Sequence, residues 1–214
     1  MLFGISLAVA VILTGPLLLF NPWFTSALQA RHDVAAAFDT SQPEIDRVTG
    51  EILVDLYVGG DFDAALTLSE PLLDSRERSH MGDVSRLVRL LAGITVVSLI
   101  LAIATGVWLR HEQRRQSRIM FLAAGLVAMN AVILAAIFAV AFEPAFLAFH
   151  AIFFPPGTYL FSEGSRLIVL FPEAFWFDAA LAAGGAIVVS AAIVALIGFA
   201  RWRDRPGDAR SGLN

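Results

Sequence analysis

The chain has 214 residues, of which 57% are hydrophobic and only 16% charged, with a formal net charge of -4 and a mean hydropathy of +0.73. That balance excludes a soluble globular domain of this length and a basic nucleic-acid binder, and it calls for a bilayer. The absence of cysteine removes disulfides, thiol nucleophiles and thiolate metal sites together.

The first element is an uncharged run from Leu2 to Phe20. At a rise of ~1.5 Å per residue, a helix of that length covers the roughly 30 Å of a hydrocarbon core. A cleaved signal peptide is the rival reading, because "SALQA" ends in small residues at Ala30. The run exceeds the usual apolar region of about 7 to 15 residues and has no basic segment before it, so we read a span. Pro16 is expected to bend that helix.

Residues 21–89 carry twelve acidic and six basic residues and cannot lie in lipid, so they form a small, mostly helical cap. Ser41 and Glu44 suit a capping box, and Ile45, Val48, Ile52 and Leu56 form an apolar stripe ending at Gly59 and Gly60. This spacing predicts an amphipathic helix lying over the bundle. Asp74 and Glu77 mark a second start, of a helix that runs through His80 and Asp83 into the next span, 90–109. Glu77, His80 and Asp83 recur at three-residue intervals and share a face. A carboxylate there can take the Nδ1 proton of His80 and leave Nε2 as a base. Taken alone, the segment also fits a surface histidine among headgroups.

The arginine-rich link 110–118 leads to a third uncharged run, 119–142, whose Asn130 is expected to make an interhelical hydrogen bond. The segment "FEPAFLAFHAIFFPPG", 142–157, then reads as a short helix with Pro144 in its first turn and an aromatic face of Phe146, Phe149, Phe153 and Phe154. His150 lies within that face. An interfacial histidine beside an aromatic belt is the ordinary reading, and a second imidazole facing His80 is the functional one. His32 and His111 lie in polar settings. Arg89, Arg166 and Trp176 lie near the same level, where lipid binding, salt bridging and interface anchoring all suit them. The fourth span is 179–200.

The 110–118 link and the 201–210 tail hold eight of the fifteen basic residues, which puts both inside by the positive-inside rule. With four spans the N-terminus is inside too, and the cap 21–89 and the segment 143–178 face outward. The expected fold is therefore a single all-α membrane domain over 1–214, with four transmembrane helices and an extracytoplasmic cap.

The words "SHMGDV" at 79–84, "FHAIFF" at 149–154 and "LIVLFPEAFWFD" at 167–178 resemble the signature of the lipoprotein intramolecular transacylases, four-helix bacterial membrane proteins with an external cap. One departure is "PPGTYLF" at 155–161, where the resemblance leads us to expect a polar residue and a tryptophan. The resemblance implies transfer of the sn-2 acyl chain of a lipoprotein's diacylglyceryl-cysteine to that cysteine's α-amino group, giving the lyso-form. It implies catalytic roles for His80 and His150, lipidated membrane-anchored lipoproteins and membrane lipid as partners, and a site at the outer face of the cytoplasmic membrane. Glu77 and Asp83 are expected to support His80, and Phe149, Phe153, Arg89, Arg166 and Trp176 to contact substrate.

The residues suit that chemistry independently. An α-amino group of pKa near 8 is mostly protonated at neutral pH, and an imidazole of pKa about 6.5 is a suitable base for it. A second imidazole can donate to the tetrahedral oxyanion. Amine and ester belong to one lipidated cysteine, so proximity is built in, and neither acyl-enzyme, cofactor nor metal is expected. His80 as base with His150 as donor is the reverse assignment. An aromatic, poorly solvated setting favours His150 as the base, and neighbouring carboxylates favour a protonated His80 as the donor. Two readings from other classes are haem ligation by the two histidines, and zinc held by His80, Asp83, Glu77 and His150 in a metallohydrolase.

Overall fold

The computed structural model describes residues 1–66 and 70–203. The arginines of the tail at 205 and 210 lie outside the described residues. Nine α-helices and no strand occur among those described. They are α1 (Leu2–Leu19), α2 (Pro22–Arg31), α3 (Val34–Ala37), α4 (Gln42–Val58), α5 (Ser75–Trp108), α6 (Gln113–Val140), α7 (Phe142–Phe153), α8 (Arg166–Leu170) and α9 (Glu173–Arg203). A single 3-10 turn, Leu109–His111, joins α5 to α6.

Four of these helices, α1, α5, α6 and α9, are long and apolar enough to cross a membrane. With the composition, this makes the chain an all-helical membrane protein. α1 runs through Pro16 without a break. α6 and α9 form the most extensive helix pair, α1 packs on both, and α5 packs on α1. Small residues allow the close approach that apolar lipid gives no reason to make otherwise. At Gly198 of α9 a Cβ would stand 2.9 Å from the Ser117 carbonyl oxygen and 3.1 Å from the Phe121 nitrogen, so α9 meets the backbone of α6 there. Val11, Ala124, Val127 and Ala191 close the centre of the bundle. Asn130 departs from expectation. Its side chain is exposed and donates to the Leu126 carbonyl of its own helix at 2.8 Å, which satisfies one N–H without a neighbour.

The cap has its own core. Ile45, Val48, Ile52 and Leu56, the stripe read from the sequence, pack with Phe62, Leu73, Leu167 and Leu170 and with Met81 from the first turns of α5. α4 is therefore laid against the extended end of α5, and the cap and the longest helix share one hydrophobic cluster. α4 does start after Ser41, but the expected reciprocal box is not formed: Ser41 makes no side-chain cap bond, and Glu44 turns to Arg47 at 2.6 Å. The box at Asp74 and Glu77 is formed on both sides. At its other end α4 stops on Gly59, whose φ of 81° only glycine adopts without strain.

Two polar contacts tie the layers. Ser85 of α5 donates to the Leu56 carbonyl at 2.9 Å, and the buried Gln29 of α2 donates to the Leu170 carbonyl at 3.1 Å. Arg31, the last residue of α2, and His32, just beyond it, both reach Asp178 of α9, at 3.3 and 3.0 Å. His32, read from the sequence as an ordinary polar-cap histidine, thus helps to fasten the cap to α9.

Candidate active site

α5 is continuous from the cap into the bundle, so its first turns carry His80 on a rigid rod. α7 follows α6 after a single intervening residue, Ala141, and its 12 residues carry His150 back beneath the cap. The two imidazoles meet with ring centroids 6.0 Å apart and planes inclined by 26°. Phe154 touches both, at 5.0 Å from His80 and 5.4 Å from His150. Phe161 stands edge-on to His80 at 5.5 Å, and Phe146, Phe149 and Tyr159 surround His150 at 4.2, 5.6 and 5.2 Å.

The nitrogens of the pair are not equivalent. His150 Nδ1 lies 2.8 Å from the Phe146 carbonyl oxygen, one helical turn earlier. A carbonyl can only accept, so Nδ1 donates its proton there and the neutral ring presents Nε2 as an unprotonated acceptor. Burial among aromatic rings pushes the pKa of His150 below its ordinary value of 6.5, while the bond to Phe146 opposes that shift. His80 is only 6% exposed, and its Nδ1 is buried without any hydrogen-bond partner. A buried polar atom with no protein partner calls for one from a ligand or from water.

The carboxylates expected beside His80 are engaged elsewhere. Glu77 is 1% exposed and accepts from its own helix start at Asp74 N, 2.8 Å, from Leu167 N, 3.0 Å, and from the Ser165 hydroxyl. It clasps the beginning of α5 to the beginning of α8. Asp83 pairs with Arg86, one turn along the same helix. Sharing a helix face with His80 gives neither carboxylate a hydrogen bond to its ring, because longer-range partners and a nearby arginine compete for them. The four-ligand zinc set read from the sequence is accordingly not assembled, and no group of three or more metal-capable side chains occurs among the described residues.

The other site residues separate into near and far. Phe149 stands against His150 and packs at a tilt on Phe153 at 4.8 Å, and both rings are partly exposed. Trp176 lies one shell out, 6.3 Å from Phe146 and 5.3 Å from Phe175, where it backs α7. Arg89 donates to the Val58 carbonyl at 3.3 Å and caps the C-terminus of α4. Arg166 lies over the Phe38 ring at 5.9 Å. Neither arginine contacts the histidine pair.

Reading the sequence missed Arg76, Phe161 and Ser165. Arg76 donates to the Gly157 and Leu160 carbonyls, both at 2.8 Å, and covers Phe161 at 5.4 Å. It thereby holds the 155–161 segment, with Tyr159 and Phe161, against the two histidines. The only signal was an arginine four residues before His80 and a Pro-Pro-Gly turn just after His150, and these pair across 81 residues.

The arrangement joins an unprotonated imidazole nitrogen, a second imidazole whose buried nitrogen has no protein partner, and an aromatic surround in a membrane protein. It can move a proton and hold a polar atom next to a lipid. Comparison with solved structures finds the same fold in the membrane-integral lipoprotein intramolecular transacylase Lit from Bacillus cereus. The likeness has a TM-score of 0.83 at 19% identity, covering 94% of this chain and 92% of that one. Two variants of the Bacillus cereus protein, with one histidine replaced by arginine or by alanine, match with TM-scores of 0.76 at 18% identity. They cover 94% and 93% of this chain and 88% and 90% of theirs. No curated protein sequence matches the chain. The family model described as lipoprotein intramolecular transacylase Lit matches residues 1–176, which takes in both histidines and every element from α1 to α8, and the chain accordingly belongs to that family of acyltransferases.

Proposed function

We propose that the protein performs intramolecular O-to-N acyl transfer on the diacylglyceryl-cysteine of membrane-anchored lipoproteins, with His150 as general base and His80 as oxyanion donor. The α-amine nitrogen attacks the carbonyl carbon of the sn-2 ester, and the C–N bond forms as the amine proton passes to His150 Nε2. The oxyanion accepts a hydrogen bond from His80. Collapse breaks the bond to the glycerol oxygen, and His150 returns its proton to that leaving oxygen. Ester and amine become amide and alcohol, with no water consumed and no acyl-enzyme.

The observation that carries this reading is the commitment of His150 Nδ1 to the Phe146 carbonyl at 2.8 Å, which leaves Nε2 as acceptor 6.0 Å ring to ring from His80. Because Glu77 and Asp83 have other partners, the donor role of His80 rests on an N–H without a carboxylate behind it. Phe149 and Phe153 form the acyl-chain wall, and Tyr159 closes the site over His150. Arg89, Arg166 and Trp176 hold elements in place and need not touch substrate. Haem ligation has no observation in its favour.

The arginines of the 110–118 link place that turn, with both chain termini, on the cytoplasmic side, and put the histidine pair at the outer leaflet where the lipoprotein's acyl chains lie. Mass spectrometry of the N-terminal peptide of a reporter lipoprotein, from cells with and without this protein, tests the activity. The expected product has the mass of the diacyl form, unchanged, with one acyl group moved to nitrogen. A reporter that keeps a free α-amine overturns the reading.

A further inference from the structure

An open cavity of about 870 Å³ lies at the opposite end of the bundle from the histidine pair. Its wall is hydrocarbon: Phe3 and Leu7 of α1, Leu99 and Ile103 of α5, and Met120 of α6. The wall is narrowed where Gln116 donates to the Gly106 carbonyl at 3.0 Å, which locks the α5–α6 hairpin. Arg110, from the turn after α5, and Arg201, from the last turn of α9, line the same cavity.

No carboxylate lines it among the described residues. Glu112, the acid of the adjoining link, is paired with Arg115 at 2.8 Å. Arg110 donates to a ring nitrogen of its neighbour His111 at 3.0 Å, an interaction that leaves its charge uncompensated. Arg201 makes no ion pair among the described residues. Two guanidinium groups therefore stand without a counter-ion among the described residues at the polar rim of an apolar cavity. Both arginines are exposed at this rim, and the group that complements rim and wall together is an anion attached to hydrocarbon, its charge meeting the guanidinium groups and its chain covering the apolar wall.

We propose that this cavity binds an anionic phospholipid, its phosphate between Arg110 and Arg201 and an acyl chain along Phe3, Leu7, Leu99 and Ile103. The guanidinium fork matches phosphate oxygens bidentately, and the volume lies in the range of small-molecule sites. Basic pockets between transmembrane helices on the cytoplasmic side recognise lipid headgroups in this way. The site shares no residue with the histidine pair, so its fate and that of the transacylase reading are separate.

The test is native mass spectrometry of the full purified chain in detergent, titrated with phosphatidylglycerol, with phosphatidylethanolamine, and with sn-glycerol 3-phosphate as a headgroup without chains. Phosphatidylglycerol is expected to bind and the other two only weakly. Two arginines together make the preference roughly 30-fold. Combining Arg110→Gln with Arg201→Gln should abolish it, and the lysine pair should restore most of it while keeping the charges that set topology. Ile103→Trp fills the groove at a position 65% exposed, so it tests the site without disturbing packing, and it too should displace the lipid. Equal retention of the two lipids overturns the proposal. So does undiminished phosphatidylglycerol binding in either the glutamine or the tryptophan variant, or competition by glycerol phosphate as strong as by phosphatidylglycerol.

Discussion

Substituting Glu77 separates two accounts of the carboxylate one turn before His80. If it clasps α5 to α8, its loss costs stability; if it sets the protonation of His80, its loss alters the pH profile. The clasp account can be given a size. One carboxylate oxygen accepts from Asp74 N and the other from Leu167 N and the Ser165 hydroxyl, all at a side chain 1% exposed. Glutamine can keep its oxygen toward Leu167 and Ser165, but it then turns an NH2 group toward the Asp74 N–H. One bond is lost and two donors face each other, a cost of about 2 kcal/mol. Alanine strands all three donors, for roughly 4 kcal/mol, and Ser165→Ala removes a single hydroxyl, for about 1 kcal/mol. Thermal unfolding of the purified variants should therefore rank alanine, glutamine and the serine variant in decreasing order of destabilisation. The glutamine variant should melt roughly 4–8 °C below the parent. Reporter conversion per folded molecule should keep its pH dependence in Glu77→Gln. A Glu77→Ala protein that melts with the parent, or a Glu77→Gln protein of parental stability with a displaced pH profile, would refute the clasp.

His150→Ala and His80→Ala should each lower conversion by at least about 100-fold, with insertion and melting preserved, and the double variant should be little worse than either; near-parental conversion by either removes the two-histidine mechanism. Burial lowers the pKa of His150 below 6.5, so its base form persists into mild acid and the enzyme's limb in single-turnover rates should fall only as pH drops below that value. Phe149→Ala lets water reach the ring and should move that limb upward, toward the ordinary histidine range; an unmoved limb would show that burial does not set it. Reporter fusions after Arg115 and near Gly60 should label as inside and outside respectively, and the reverse labelling at either would overturn the orientation. Asp178→Asn should loosen the hold of α2 on α9, seen as faster protease cleavage in the cap at residues 31–40, with Arg31→Gln giving a smaller effect than His32→Ala since its side chain is 69% exposed.

Features set by local pattern were readable in the sequence. Four uncharged runs match four long helices, two of them overrunning the helix end by one or two residues, because length and hydropathy suffice to specify a membrane-crossing helix. The box at Asp74 and Glu77 needs only four residues, and it placed the start of α5 correctly. His80 and His150 stood out because ionisable groups at that depth are costly without partners. What stayed hidden depends on distant contacts. Glu77 and Ser165 are 88 residues apart, and His32 and Asp178 are 146 apart. Helix periodicity gives the face on which a carboxylate lies, but not which donors from elsewhere in the chain will take it. Glu77 and Asp83 were assigned to His80 by spacing, while backbone N–H groups, a serine and an arginine won them in the fold. Asn130 shows the converse, since a bond to its own helix removes the need for a neighbour.

The unbroken course of α5 from Ser75 to Trp108 gives the molecule a fixed gauge. Ten residues separate His80 from Leu90, and along a straight helix they fix the imidazole ~15 Å along the axis from Leu90. That distance and the ring's compass bearing are coupled, because every inserted residue adds ~1.5 Å and turns what lies beyond it by ~100°. Losing or gaining one residue between these points would swing His80 away from α7 even if every side chain were kept. The stretch from 81 to 89 can therefore vary in composition far more readily than in length, and relatives that keep the reaction should differ there by substitution, without insertions or deletions.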